Sequence, residues 1–245
     1  MRAPNAAELL IAWEIGLRQP PNQRALSLLA AACPESTDEE LWTLSIGQRD
    51  ARLLEMRRRL FGSNLSIVTA CPACGDPLES SVRLEDIRRS ESPPANAVHV
   101  CDVDGFRVTF RLPTSRDLIS VTADESQPAR GDALLKRCVT GVRNADGEVI
   151  DASVLPGRAN ASVVEQMAVL DAQADVQLQM ACPVCAHRWS AAFDIAGFLW
   201  KEVHAWAQRT LRDVHRLARV YGWPESETLA LSPTRRQIYL ELSRE

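Results

Sequence analysis

The chain has 245 residues, 46% apolar and 24% charged, enough to bury a sizeable core without staples. Its formal net charge of -4 provides no overall field that would mark it for nucleic acid or an anionic membrane surface. No window approaches the roughly 20 apolar residues of a membrane span. The opening Met1-Arg2-Ala3-Pro4-Asn5 runs into an amphipathic helix rather than an apolar export signal, so the expectation is a soluble, cytoplasmic protein.

Residues 6–62 read as helical. Leu9, Leu10, Trp13 and Leu17 recur at helical spacing, Pro20-Pro21 breaks the run, and Ala25, Leu28, Leu29 and Ala32 start a second stripe. Ser36-Thr37-Asp38 offers a cap for a short segment through Trp42. A further helix from about Gln48 carries Leu53, Leu54, Met56, Leu60 and Phe61 and stops at Gly62. The period then changes. Residues 66–70 and the alternation Leu78, Ser80, Val82, Leu84 predict strands on either side of Cys71-Pro72-Ala73-Cys74-Gly75, and residues 86–96 read as a loop.

Residues 98–103 and 106–112 predict a hairpin around Asp104-Gly105, a pair that tolerates the positive dihedrals of a tight turn. A helix is expected from Pro113-Thr114-Ser115 to about Ala123, and another over 132–142 with Leu134, Leu135, Cys138 and Val142 on one side. Residues 144–157 read as irregular. Residues 161–172 predict a helix with Val164, Met167 and Ala168 inward, and Val176, Leu178 and Met180 a strand leading into Cys182-Pro183-Val184-Cys185-Ala186. A matching strand over 189–194, a long helix over 196–221 ended by Gly222, and a final helix opened by Ser232-Pro233 complete the chain.

Of seven cysteines, an odd number that argues against a disulfide framework, four form two C-x-x-C pairs. Two thiolates separated by two residues in a tight knuckle converge on one metal, and two facing knuckles complete a tetrahedral shell. Cys71, Cys74, Cys182 and Cys185 are therefore the predicted ligands of one structural zinc ion. The pairs are about a hundred residues apart, but closure entropy grows only with the logarithm of loop length. A dithiol redox site, two coincidental pairs, and replacement of one thiolate by His187 are the alternatives. Four thiolates leave no open position, so chemistry at this zinc is not expected. Cys33, Cys101 and Cys138, amid apolar or small neighbours, read as core residues.

No Gly-rich phosphate loop, G-x-S-x-G elbow or H-E-x-x-H motif is present, and the chain has only four histidines, so a non-enzymatic protein is expected. Asp102-Val103-Asp104-Gly105 is better explained by the hairpin than by a calcium loop. Glu39-Glu40 and Glu85-Asp86 read as solvated charges. In the long C-terminal helix Leu199, Val203, Trp206, Thr210, Val214, Leu217 and Tyr221 make the core stripe, with Trp200 and Leu211 on its flank. Arg209, Arg212, Arg216 and Arg219 lie roughly opposite at about 100° per residue. They form either a solvated face or a contact for an acidic protein or nucleic acid.

The fold expected is α+β and mostly helical, with a two-knuckle zinc ribbon of β-hairpins split by a long insertion. Residues 1–62 form an N-terminal helical region, and 63–195 the split ribbon with 97–172 inserted. Residues 196–245 form the C-terminal helices.

Several segments carry a resemblance. Glu8-Leu9-Leu10-Ile11-Ala12-Trp13-Glu14, Arg24-Ala25-Leu26, the run from Ser45 to Leu54, Phe61-Gly62 and the Cys-Pro-x-Cys-Gly knuckle resemble proteins of contractile phage tail and contractile injection system clusters. The block from Phe110 to Leu118 and the ending from Leu229 to Tyr239 fit the same group. The chain is similar to the T-even-type phage baseplate hub assembly chaperones. That resemblance implies a non-catalytic assembly factor or adaptor that binds baseplate hub or spike subunits. From the residues themselves no membrane or small-molecule partner is expected, and the acidic net charge counts against nucleic acid. A zinc-ribbon protein associated with nucleic acid or transcription is the alternative, and it would need a contiguous basic surface.

Overall fold

The computed structural model describes residues 1–89, 92–122 and 127–243. In chain order, α1 (Ala6–Leu17), α2 (Pro21–Ala32), α3 (Asp38–Trp42) and α4 (Ile46–Phe61) precede the hairpin of β1 (Asn64–Ala70) and β2 (Pro77–Arg83). The short α5 (Leu84–Ile87) is followed by β3 (His99–Val103), β4 (Phe106–Phe110), α6 (Ser115–Thr122), α7 (Gln127–Cys138) and β5 (Val139–Arg143). Next come α8 (Gly157–Leu170), a 3-10 turn at Ala172–Ala174, and a second hairpin of β6 (Gln177–Ala181) and β7 (Arg188–Ala192). The chain ends with α9 (Ile195–Tyr221), α10 (Glu225–Ala230) and α11 (Pro233–Leu242). The fold is α+β, with small antiparallel sheets among helices. It divides into two compact units, one of Met1–Ser36 with Ala196–Glu245 and one of Thr37–Ile195.

The first unit is helical. Asn5 opens α1 with a reciprocal capping box to Glu8, and Pro21 sits at the first turn of α2, where its missing N–H costs nothing. Leu9, Leu10, Ala25, Leu28 and Leu29 are buried, as are Leu199, Val203 and Leu217 of α9. The Trp13 indole N–H donates to Nδ1 of His204 at 3.0 Å. Trp200, on the flank of the core stripe of α9, meets another helix of the same chain and is buried there. Its ring lies where a Cβ on Gly16 would come within 2.5 Å, and the Arg24 guanidinium sits 4.8 Å from the ring centroid. Leu17 departs from expectation at 48% exposed, because close approach at Gly16 makes that side of α1 the packed one. The short α10, between Gly222 and the Ser232 cap of α11, was not foreseen.

The second unit is built on the antiparallel sheet β3-β4-β5. Asp104 and Gly105 both take positive φ, 49° and 80°, as the two-residue turn requires. One face of the sheet carries Cys101, Val108, Phe110 and Val142, and Ala159 and Val163 of α8 pack on it with Leu135 and Leu155.

Three predicted elements change here. The helix expected over 132–142 ends at Cys138, and Val142 lies in β5, where Val139 to Arg143 pair with β4. The helix expected from 161 starts at Gly157, and its inward residues are Ala159, Val163, Met167 and Leu170; Val164 is 50% exposed and Ala168 is exposed. Leu84, expected to continue β2, instead opens α5 within the stretch read as strand and loop. Ser90 and Glu91 of that loop, and the expected helix end at Ala123, lie outside the described residues.

α4 begins two residues earlier than expected, at Ile46, under a capping box of Ser45 and Gln48. The buried Asp171 reinforces this start from far along the chain. Its carboxylate accepts the Ser45 hydroxyl at 3.0 Å and the Gly47 N–H at 2.9 Å, where the helix dipole favours negative charge. Gln173, also buried, accepts the Arg89 N–H at 2.8 Å and donates to the Ile87 carbonyl at 3.4 Å. The turn before β6 is thus fixed to the helix that leads into β1 and to the helix that follows β2.

Candidate metal centre

Each cysteine pair sits at the tip of a two-stranded hairpin. In the first, the Cys71 N–H donates to the Asp76 carbonyl at 2.9 Å and the Gly75 N–H to the Cys71 carbonyl at 2.8 Å. In the second, the Cys182 N–H donates to His187 at 2.9 Å and the Ala186 N–H to Cys182 at 3.0 Å. The residue after each second cysteine is left-handed, with φ of 79° at Gly75 and 58° at Ala186. The two knuckles are copies of one conformation, although glycine stands in one and alanine in the other.

The four sulfurs lie within 4.8 Å of one another, with Cys71 to Cys185 and Cys74 to Cys182 each at 3.7 Å. A tetrahedron of thiolates at a Zn–S distance of about 2.3 Å has sulfurs about 3.8 Å apart, so the donor set fits a four-coordinate thiophilic metal. Disulfide bonding would need about 2.05 Å. Cys71 and Cys182 are buried beside Leu78 and Trp189, while Cys74 and Cys185 reach the surface. His187 lies outside the group, its ring stacked on Trp189 at 5.9 Å between centroids.

Backbone groups point at the sulfurs. Burial raises the Cys71 thiol, but N–H groups of Cys74 and Ala73 and the neighbouring thiols outweigh it and bring it down to about 7. At Cys74 the Asp76 N–H favours the thiolate, yet burial and the three other sulfurs drive it up to about 12. Four thiols this close resist collective ionisation, and a divalent cation among them removes that conflict.

The remaining sequence candidates fall elsewhere. Cys33, Cys101 and Cys138 are buried apart from the cluster, and burial pushes the Cys138 thiol up to about 11. Glu39 and Glu40 lie in the first turn of α3, Glu85 and Asp86 in that of α5. On α9, Arg209, Arg212 and Arg219 are exposed, but Asp213 lies among them; burial raises its carboxyl against the pull of Arg236, Arg212, Arg209 and Arg216. The stripe is therefore not purely basic. What sequence reasoning missed is the frame, Asp171 and Gln173, whose partners lie 84 to 126 positions away and leave no local signal.

A family model described as the T4 bacteriophage base plate protein matches residues 7–200, a span that includes both cysteine pairs. The chain belongs to that family. Its members' place in the phage tail gives this chain a structural or assembly role there and other phage proteins as its neighbours. No curated protein and no solved structure matches the chain. Among the described residues no helix is long and apolar enough to cross a membrane.

Proposed function

We propose that this chain is a non-catalytic assembly factor or structural adaptor of a contractile phage tail-like injection system. It binds baseplate hub or spike proteins, and Cys71, Cys74, Cys182 and Cys185 hold one structural zinc ion in a ribbon split by the intervening segment. The observation that carries the reading is the family match over 7–200 around a four-sulfur cluster that leaves no ligand position open. The metal's contribution is rigidity rather than chemistry, and the protein works in the cytoplasm before or while it joins a particle. The reading is tested by co-purification of the tagged chain with hub and spike subunits of its own gene cluster. A stoichiometric complex with a hub or spike protein is expected, and absence of any such complex in a system that still assembles would sink it. The alternative nucleic-acid role would show as steeply salt-dependent retention on DNA.

A further inference from the structure

The three-stranded sheet has two edges, and they are finished differently. Beyond β5 the chain returns on itself, with a bridge between Arg143 and Val149 and the Ile150 N–H donating to the Val142 carbonyl at 3.0 Å. Beyond β3 no described residue pairs with the strand.

The hairpin register says which groups are left over. Val103 and Phe106 close a two-residue turn and are hydrogen-bonded to each other, so bonded and non-bonded pairs alternate along the hairpin. His99, Cys101 and Val103 therefore turn their N–H and C=O groups toward β4. Val100 and Asp102 turn theirs outward. Of the devices that normally blunt an unpaired strand edge, β3 carries no proline, lysine or bulge, and its single charge, Asp102, is paired with Arg107.

Beside this edge lies a cavity of about 680 Å³, within the range of roughly 300–1,000 Å³ that holds ligands. One wall is the whole of β3 and the other is the flank of α8, including Glu165, Gln166 and Val169. A helix beside an open strand is the arrangement in which an added peptide strand gains main-chain hydrogen bonds from the edge and side-chain contacts from the helix. The charged lining groups, Asp102 and Glu165, are both acidic; Asp102 is already paired with Arg107 at 2.8 Å. Apolar side chains are exposed around it, Val169 at 75% and Val100 at 51%. His99 adds a buried Nε2 with no hydrogen-bond partner.

We infer that the groove between β3 and α8 takes an extended segment of a partner protein, added as a fourth strand, with β-branched residues alternating with a basic residue placed opposite Glu165. The inference rests on the open strand and not on the metal centre. A chain that loads zinc normally yet fails the peptide test, or the reverse, separates the two.

The probe is the peptide acetyl-Val-Lys-Val-Lys-Val-amide, titrated into the full chain while amide resonances are followed by NMR. Saturable shifts are expected at the Val100 and Asp102 amides, with slowed hydrogen exchange there. N-methylation of alternate peptide nitrogens should weaken binding at least tenfold, as should Val100→Pro. That substitution is compatible with the fold because the N–H it removes faces away from β4. Replacing the peptide's lysines by glutamates should also weaken binding. No shift at Val100 and Asp102 at millimolar peptide would overturn the inference. So would binding that withstands both the N-methylated peptide and the proline variant, and equal binding of the acidic peptide would overturn the charge assignment.

Discussion

At the two knuckles one backbone is built with different residues. A left-handed alanine pays a steric cost on the order of 1 kcal/mol that glycine avoids. Ala186, at φ 58°, bears that cost; Gly75, at φ 79° with open space where a Cβ would project, does not. Ala186→Gly is therefore expected to stabilise by about 0.5–1 kcal/mol, and Gly75→Ala to destabilise by about 1 kcal/mol, in urea denaturation of the metal-loaded protein. Equal effects of the same sign would contradict the equivalence of the two turns. Asp117 supplies a second residue-scale test. Burial works against its charge, but two bonds from Arg111 at 2.6 and 2.8 Å, and the Thr114 hydroxyl and N–H, hold its carboxyl at about 2. Because the folded value lies below the unfolded one of about 3.9, its contribution is full above that value and is lost as pH falls toward 2. Asp117→Asn should cost about 2–3 kcal/mol, unchanged between pH 8 and 5, with the gap from wild type narrowing below pH 4.

At the scale of elements, the two ends of the long insertion are tied through the start of α4. Ser45 caps that helix and donates its hydroxyl hydrogen bond to Asp171, which leads into the turn before β6. At Gly47 a Cβ would fall 2.1 Å from the Asp171 carboxylate. Gly47→Ala should cost about 1–3 kcal/mol by overpacking and Ser45→Ala about 1–2 kcal/mol by loss of the cap. Since Asp171 positions the chain entering the second knuckle, both variants should also lose metal faster to a chelator; unchanged metal retention would show that the anchor plays no part in setting the sulfurs. This tie was invisible in the sequence, whereas what is local was readable. Asp104-Gly105 announces its turn, Ser232-Pro233 marks a helix start, and Pro20-Pro21 breaks the helical run by its own conformational limits. Val142 was misplaced because Leu135, Cys138 and Val142 also fit a helical spacing; pairing with β4, not the local pattern, makes 139–143 a strand. The inward face of α8 was misread for the same reason, since both phases are apolar and the sheet selects Ala159 and Val163. The candidate ligands stand out as two C-x-x-C pairs, while the frame that gathers them is made of single polar residues far apart in the chain.

At the scale of the whole molecule, Cys74 and Cys182 are 108 positions apart, yet their sulfurs lie 3.7 Å from each other. Around them the buried apolar support is slight, Leu78 and the two inner cysteines with Trp189 against them. A covalent link across a loop of that length is worth about 4–5 kcal/mol, and structural zinc binding about 10–16 kcal/mol at neutral pH. If the proposed zinc is bound, metal is what holds the two hairpins together. The purified protein should then contain one zinc per chain by elemental mass spectrometry. Chelation should remove hydrogen-exchange protection from β1, β2, β6 and β7 while α9 keeps its own. Cys71→Ser and Cys182→Ser are expected to release the metal and unfold the ribbon, but both residues are buried, and a hydroxyl left in an apolar site would destabilise without any metal. Cys74→Ser separates the causes, because that side chain is exposed and contributes little to packing. A loss of zinc and of ribbon protection at Cys74→Ser comparable with Cys71→Ser identifies the metal as the source of stability. A harmless Cys74→Ser beside a damaging Cys71→Ser would instead make the inner cysteines ordinary core residues.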